Sequence, residues 1–271
     1  LPLMGFAAAS IKVGNEFQAQ MSRVQAIAGA TAEELGRMKT QAIDLGAKTA
    51  FSAKEAAQGM ENLASAGFQV NEIMDAMPGV LDLAAVSGGD VAASSEAMAS
   101  SLRAFGLEAG QAGHVADVFA RAAADTNAET SDMAEAMKYV APVAHSMGLS
   151  LEETAASIGI MADAGIKGSQ AGTTLRGALS RIAKPTKAMT KSMQELGVSF
   201  YDANGNMIPL REQIAQLKTA TAGLTQEERN RHIVTLYGQN SLSGMLALLD
   251  AGPEKLDKMT NALVNSDGAA K

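Results

Sequence analysis

Three histidines, His114, His145 and His232, are the side chains best suited to acid–base or metal work. They stand apart in the chain and share no ligand spacing such as H-E-x-x-H. His114 and His145 read as surface imidazoles or ones satisfied within a core. The chain has no cysteine, which removes disulfides, thiolate metal sites and thiol nucleophiles. No serine lies in a G-x-S-x-G elbow. Gly172-Thr-Thr-Leu-Arg-Gly177 has the glycine spacing of a phosphate-binding loop. Ala178 and Leu179, however, stand where Lys and Ser/Thr must meet the phosphates and Mg²⁺. Paired carboxylates at Glu33/Glu34, Glu152/Glu153 and Glu227/Glu228 fall in first turns of expected helices, where the helix dipole favours anions. A glutamate held protonated in an apolar pocket would make an acid catalyst, but no spacing singles one out. The residues therefore assign no catalytic, cofactor-binding or metal-ligating role, no cofactor is expected, and the chain does not read as an enzyme.

The charges carry more. Formal net charge is −7, and residues 1–163 account for −11 of it. Residues 164–194 hold Lys167, Arg176, Arg181, Lys184, Lys187 and Lys191 without one acid, and residues 195–271 return to −2. These six cations are the candidate partner-binding residues. One reading is a solvated helix face with cations gathered at a C-terminal end. The other is a docking patch for an acidic partner or a phosphate backbone. Between Phe119 and Phe200 the sole aromatic is Tyr139, so stacking of bases on this patch is not expected. A globally acidic chain is also a poor general binder of nucleic acid, and no sequence-specific nucleic-acid role is read.

The elements that must hold these residues read as helices. Of the 271 residues 47% are hydrophobic but only 4% aromatic, and the apolar mass is Ala, Leu, Val, Ile and 16 Met. Ala and Met favour helix, whereas β-branched and aromatic residues favour strand. The 26 glycines argue against one uninterrupted helix. Apolar residues from Phe17 to Leu45 step by four and three like a heptad seam, diluted by Ala28, Thr31 and Ala42. Two amphipathic helices broken near Gly29 explain this, as does a self-associating coiled-coil arm. Helix starts of the form S/T-x-x-E occur at Thr31, Ser52, Thr126, Ser150 and Thr225. Stops are expected at Gly46, Gly67, Gly106, Gly148, Gly165, Gly197 and Gly238. Three helix–Gly–apolar–helix units, with Gly67, Gly106 and Gly148 separated by 39 and 42 residues, resemble stacked helical hairpins. Asn204-Gly205 between two β-prone runs predicts a small β-hairpin over 198–209. Helices should follow at 210–221, 226–237, 241–250 and 254–264, the last opened by Pro253.

The expected class is thus all-α, a multi-helical array of short helices with one β-hairpin. It divides into N-terminal amphipathic or coiled-coil-like helices over 1–50, a helical core over 51–195, and the hairpin with C-terminal helices over 196–271. No apolar run approaches the roughly 18–20 residues of a membrane-spanning helix. The start at Leu1 and the bland end Ser-Asp-Gly-Ala-Ala-Lys suggest a fragment of a longer chain.

Six ordered runs carry a family resemblance. They are Leu45 to Ala57 (including Phe51, Ser52 and Glu55), Asn62 to Phe68, Pro78 to Ala85, Gly165 to Arg176, Leu196 to Gly205 with Tyr201 and Asp202, and Tyr237-Gly238 followed by Leu242 to Leu249. Together they resemble the core region of phage tail tape-measure proteins, over nearly the whole chain from Phe17 onward. The resemblance implies a virion structural protein that acts in tail assembly, tail-length determination and genome ejection. It implies as partners the tail tube protein, tail assembly chaperones and baseplate or tail-tip proteins, with self-association. The implied location is the tail interior, with the host cytoplasm during assembly. The alternative is a cytoplasmic helical-repeat scaffold that binds a peptide or protein partner.

Overall fold

The computed structural model describes the backbone of residues 2–271 and the side chains of residues 14–271. Among them are thirteen α-helices and no strand. The helices are α1 (Pro2–Ala28), α2 (Ala32–Lys48), α3 (Ala53–Ser65), α4 (Val70–Val86), α5 (Val91–Phe105), α6 (Ala112–Asp125) and α7 (Thr130–Ser146). They continue with α8 (Leu151–Asp163), α9 (Gly168–Ile182), α10 (Lys187–Leu196), α11 (Leu210–Thr221), α12 (Gln226–Tyr237) and α13 (Leu242–Val264). The all-helical class is as the composition implied.

Local chemistry sets most boundaries. Thr31, Ser52 and Thr225 close full capping boxes with Glu34, Glu55 and Glu228. At the other ends, Phe68, Leu107, Leu149, Ile166 and Val198 each return a backbone N–H to a carbonyl five residues earlier, over Gly67, Gly106, Gly148, Gly165 and Gly197 at positive φ. That is the Schellman closure, in which an apolar residue follows a left-handed glycine. Two signals mean something else. Thr126 starts no helix; its hydroxyl donates to Ala122 O at the end of α6, and α7 begins after Glu129. Gly46 stops nothing, because α2 runs on to Lys48. A Cβ there would lie 2.5 Å from Ala53 N, so Gly46 permits the tight turn into α3.

The chain forms two compact units. One comprises the residues up to Leu102 with Leu107–Ala116 and Ala270–Lys271. Here α3 packs on α1, α2 and α4. The heptad-like residues Met21, Val24, Met38 and Ala42 are fully buried with Met60 and Leu63 of α3. Gln20, buried on α1, donates to Gln58 Oε1 at 3.0 Å and to Glu61, which also pairs with Arg23 at 3.2 Å. In α4, a Cβ at Gly79 would lie 2.6 Å from Ala112 O, so this glycine is a helix-crossing point.

The other unit comprises Arg103–Gly106 and Asp117–Ala269. Its main layers are α7 against α9, α8 against α13, and α11 against α13. Close approach again uses glycine. A Cβ at Gly172 would overlap the backbone of Ala136, with Ala136 Cα at 2.9 Å, and one at Gly244 would collide with the Thr174 methyl at 2.5 Å. Small residues in α9 therefore serve soluble-type tight packing. The helix expected over 241–250 and that over 254–264 are the two halves of α13, broken at Gly252 (φ 83°, ψ 167°) before Pro253.

The β-hairpin expected over 198–209 does not form. Asn204-Gly205 does turn the chain, but only one antiparallel bridge, Tyr201 with Met207, is present. The flanks are otherwise engaged. Val198 closes the end of α10, Ser199 N–H donates to Gln216 Oε1 at 2.9 Å, and Pro209 has no N–H and precedes α11. The three-residue arms that remain are too short for a ladder.

Candidate functional site

The acid-free block occupies α9, the linker after it and α10. The buried face of α9 is Gly168, Ala171, Gly172, Leu175, Ala178, Leu179 and Ile182, which turns Thr173, Arg176 and Ser180 outward. Residues 183–188 are all exposed, and they carry Lys184 and Lys187. Two of the six cations are held within the fold. Arg181 lies along Gly238 and donates to Thr235 O at 3.1 Å, and Lys191 pairs with Glu195 at 3.7 Å one turn on. Lys167, half-buried before α9, and the exposed Arg176, Lys184 and Lys187 make no ion pair among the described residues. Lys184 follows the C-terminal end of α9, where a cation is favoured. Lys187 is the first residue of α10, where the helix dipole opposes it. The structure thus leaves Arg176, Lys184 and Lys187 on accessible surface, ties Arg181 to the end of α12 and pairs Lys191 within α10.

The other chemical candidates have structural partners. His232 is buried, with Nδ1 2.8 Å from the buried Ser192 Oγ, and this joins α12 to α10. His145 is exposed and meets Phe105 edge-on at 6.0 Å. Glu153 has a carboxyl raised above the usual range by burial, which outweighs the N–H donors of Arg211 and Leu210 and the Arg211 charge. Ser150 still accepts from Glu153 N–H, but the Glu153 carboxylate instead receives the first N–H groups of α11, Arg211 N among them at 3.4 Å. It caps a helix 58 residues away. Asp163 accepts Asn127 N–H at 3.0 Å and Lys255 Nζ at 2.7 Å, and these outweigh burial and lower its pKa. Neither long-range role had a local signal. Among the described residues no group of three His, Asp or Glu is placed to hold a metal, and no helix is long and apolar enough to cross a membrane.

What these features define is an all-helical protein whose distinctive chemistry is an accessible cationic surface and whose buried polar groups serve packing. Residues 39–238 match the phage-related minor tail protein family, and the chain belongs to that family. It is 99% identical over all 271 residues to a tape measure protein of Pneumococcus phage Dp-1, of which it covers 24%. It is 35% identical over 262 residues to a protein of Escherichia phage P2 described as a "Probable tape measure protein", of which it covers 32%. The chain therefore spans about a quarter to a third of the length of these relatives. No solved structure gives a significant match.

Proposed function

We propose that the chain is a folded module of a tape-measure protein, a structural component that acts in tail assembly and, through its parent protein, in tail length and genome ejection. The near-identity to the Dp-1 protein carries this reading. Its partners are the tail tube protein, tail assembly chaperones and baseplate or tail-tip proteins, met in the host cytoplasm and then within the virion tail. The helix–Gly–apolar–helix units fit a stack of helical hairpins, of which α3 with α4 and α7 with α8 are contacting pairs. The cationic surface of Lys167, Arg176, Lys184 and Lys187, flanked by Arg181 and Lys191, is the docking patch for an acidic partner surface.

A folded module of this length extends roughly 50 Å, whereas the same residues as one helix would span about 400 Å. While folded it adds little to a ruler. In-frame removal of α3 and α4 with their loops, about 40 residues, tests this by electron microscopy of tails. The reading expects failed assembly or unchanged length, and tails shortened by about 60 Å would show the segment extended as helix. Normal assembly of infectious tails after removal of the whole module would overturn the assembly role.

A further inference from the structure

Among helices α7 to α13, α10 buries the fewest residues. Of its ten residues only Met189 and Ser192 are buried, whereas α11 buries Leu210, Gln213, Ile214, Leu217 and Thr221 over twelve. Among the described residues one side-chain hydrogen bond runs from α10 to another helix, between Ser192 Oγ and His232 Nδ1 at 2.8 Å. Other side-chain bonds stay within the element and its cap. Lys191 pairs with Glu195 at 3.7 Å, and the Thr186 hydroxyl accepts Met189 N–H at 3.3 Å. Residues 183–188 in front of α10 are all exposed, and Gly197 behind it turns at a positive φ.

The two ends of this segment are held, and held to each other. On one side Ile182 is buried and Arg181 donates to Thr235 O at 3.1 Å. On the other, Val198 and Phe200 are buried, Phe200 stacks on Tyr237, and Ser199 N–H donates to Gln216 Oε1 at 2.9 Å. The Tyr201 hydroxyl then donates to Ile182 O at 3.0 Å, which closes residues 183–200 into a loop. Helix α10 can therefore leave α12 without moving either anchor. It gives up the buried Met189 and Ser192 and the half-buried Met193 and Leu196. A helix of ten residues is marginal in water by itself, and Lys187 at its first position opposes the helix dipole. Docking and helicity of α10 are thus one equilibrium, at the low-stability end of the fold.

We propose that α10 is a strap that undocks and unfolds as a unit about the Ile182–Tyr201 closure. Lys187 and Lys191 of the cationic surface are then presented on a tether rather than in a fixed array. The use of this opening rests on the docking-patch reading; the opening itself rests on packing alone. The test is hydrogen–deuterium exchange of the 271-residue chain, followed residue by residue by NMR. The amides from Thr190 to Leu196 should exchange at one shared rate, about a hundredfold or more above those of α9 and α11. Low urea should change that rate little, because a local opening exposes little surface. Ser192→Ala should speed exchange in α10 about fivefold, as loss of one ordinary hydrogen bond does, and leave α9 and α11 unchanged. Met189→Ala removes buried side chain without touching α12 and should speed it about tenfold or more. Exchange of α10 at the rate of α11 or α12 would overturn the proposal. So would a gradient of rates running in from one helix end, which is fraying, or acceleration of α9 and α11 in either variant. No partner is present in this experiment, so its failure leaves the docking patch standing. A cationic surface that binds no acidic partner likewise leaves the strap standing.

Discussion

The two sides of α9 obey different constraints. On the inner side, Gly172 meets the backbone of Ala136, and a side chain of any size must displace another helix. On the outer side, Arg176 and, past the helix end, Lys184 are exposed, and their side chains make no hydrogen bond or ion pair among the described residues. Packing dictates residue type at the first set of positions and leaves the second open. The end of α9 favours Lys184, but Arg176 in mid-helix and Lys187, where the dipole of α10 disfavours it, gain nothing from the fold. This separates residues that make the module from residues available to its partners.

The largest test of that separation is Gly172→Ala. The added methyl overlaps Ala136, so either α7 and α9 move apart or the variant unfolds. Overpacking in a well-packed core costs about 1–3 kcal/mol, and a backbone obstacle puts this variant near the upper end. Urea denaturation should show the loss. The control is Gly36→Ala within α2, where a Cβ meets nothing within 4 Å. That change should stabilise by up to about 1 kcal/mol through helix propensity. Equal effects at the two glycines would break the distinction between packed and open positions.

A second inner position should respond in the opposite direction. Tyr237 is fully buried and stacked on Phe200 at 5.8 Å, yet its hydroxyl has no hydrogen-bond partner among the described residues. Burial also drives its phenol pKa far upward. Tyr237→Phe keeps the stack and removes the orphan group, so it should stabilise by about 1 kcal/mol, read as a higher midpoint of thermal unfolding.

Two carboxylates of the same unit should give opposite pH profiles. The native state holds the Glu153 proton more tightly than the unfolded chain does, since its pKa is raised above 4.5. Stability therefore falls as pH rises from the unfolded value through the native one. Glu153→Gln should be more stable than the parent at pH 7, with the gain fading below the ordinary glutamate range. Asp163, lowered below 3.8, contributes stability above that value and loses it as pH falls through its native pKa. Asp163→Asn should be less stable at pH 7, with the deficit fading in acid. Parallel pH profiles would show that the Glu153 cap on α11 and the Asp163 tie to α13 are not set as the structure has them.

The legible parts of the fold were those written locally. A hydroxyl with a glutamate three residues on, as at Ser52 and Thr225, or a glycine followed by an apolar residue, as at Gly67 and Gly148, fixes a helix end within one turn of chain. The charge block was legible because it is composition. Gly46 misled because a glycine that ends a helix and one that admits a neighbouring backbone look alike in sequence. The Asn204-Gly205 turn is real, but Gln216 and the end of α10 capture the flanking N–H groups, and no local pattern announces those competitors. The Glu153 cap, the Ser192–His232 contact and the Arg229–Asp250 ion pair join residues from separate helices. Their partners exist only once the helices are packed.

The smallest effect concerns Lys187, and it bears most directly on whether the outer surface is free. As the first residue of α10 it places a cation against the positive end of the helix, after a hydroxyl cap from Thr186. Replacement by glutamate should therefore stabilise the isolated module, by about 0.3–1 kcal/mol at low ionic strength. The gain should shrink in salt as the dipole interaction is screened. The same charge reversal inverts one position of the cationic surface, so binding to an acidic tail partner should weaken most at low salt. A module that becomes more stable yet assembles less well would assign Lys187 to recognition. A stability loss on Lys187→Glu would instead mean that Lys187 is held by the fold. The contrast between the two sides of this helical region would then have to be redrawn, with Arg176 and Lys184 alone on the open side.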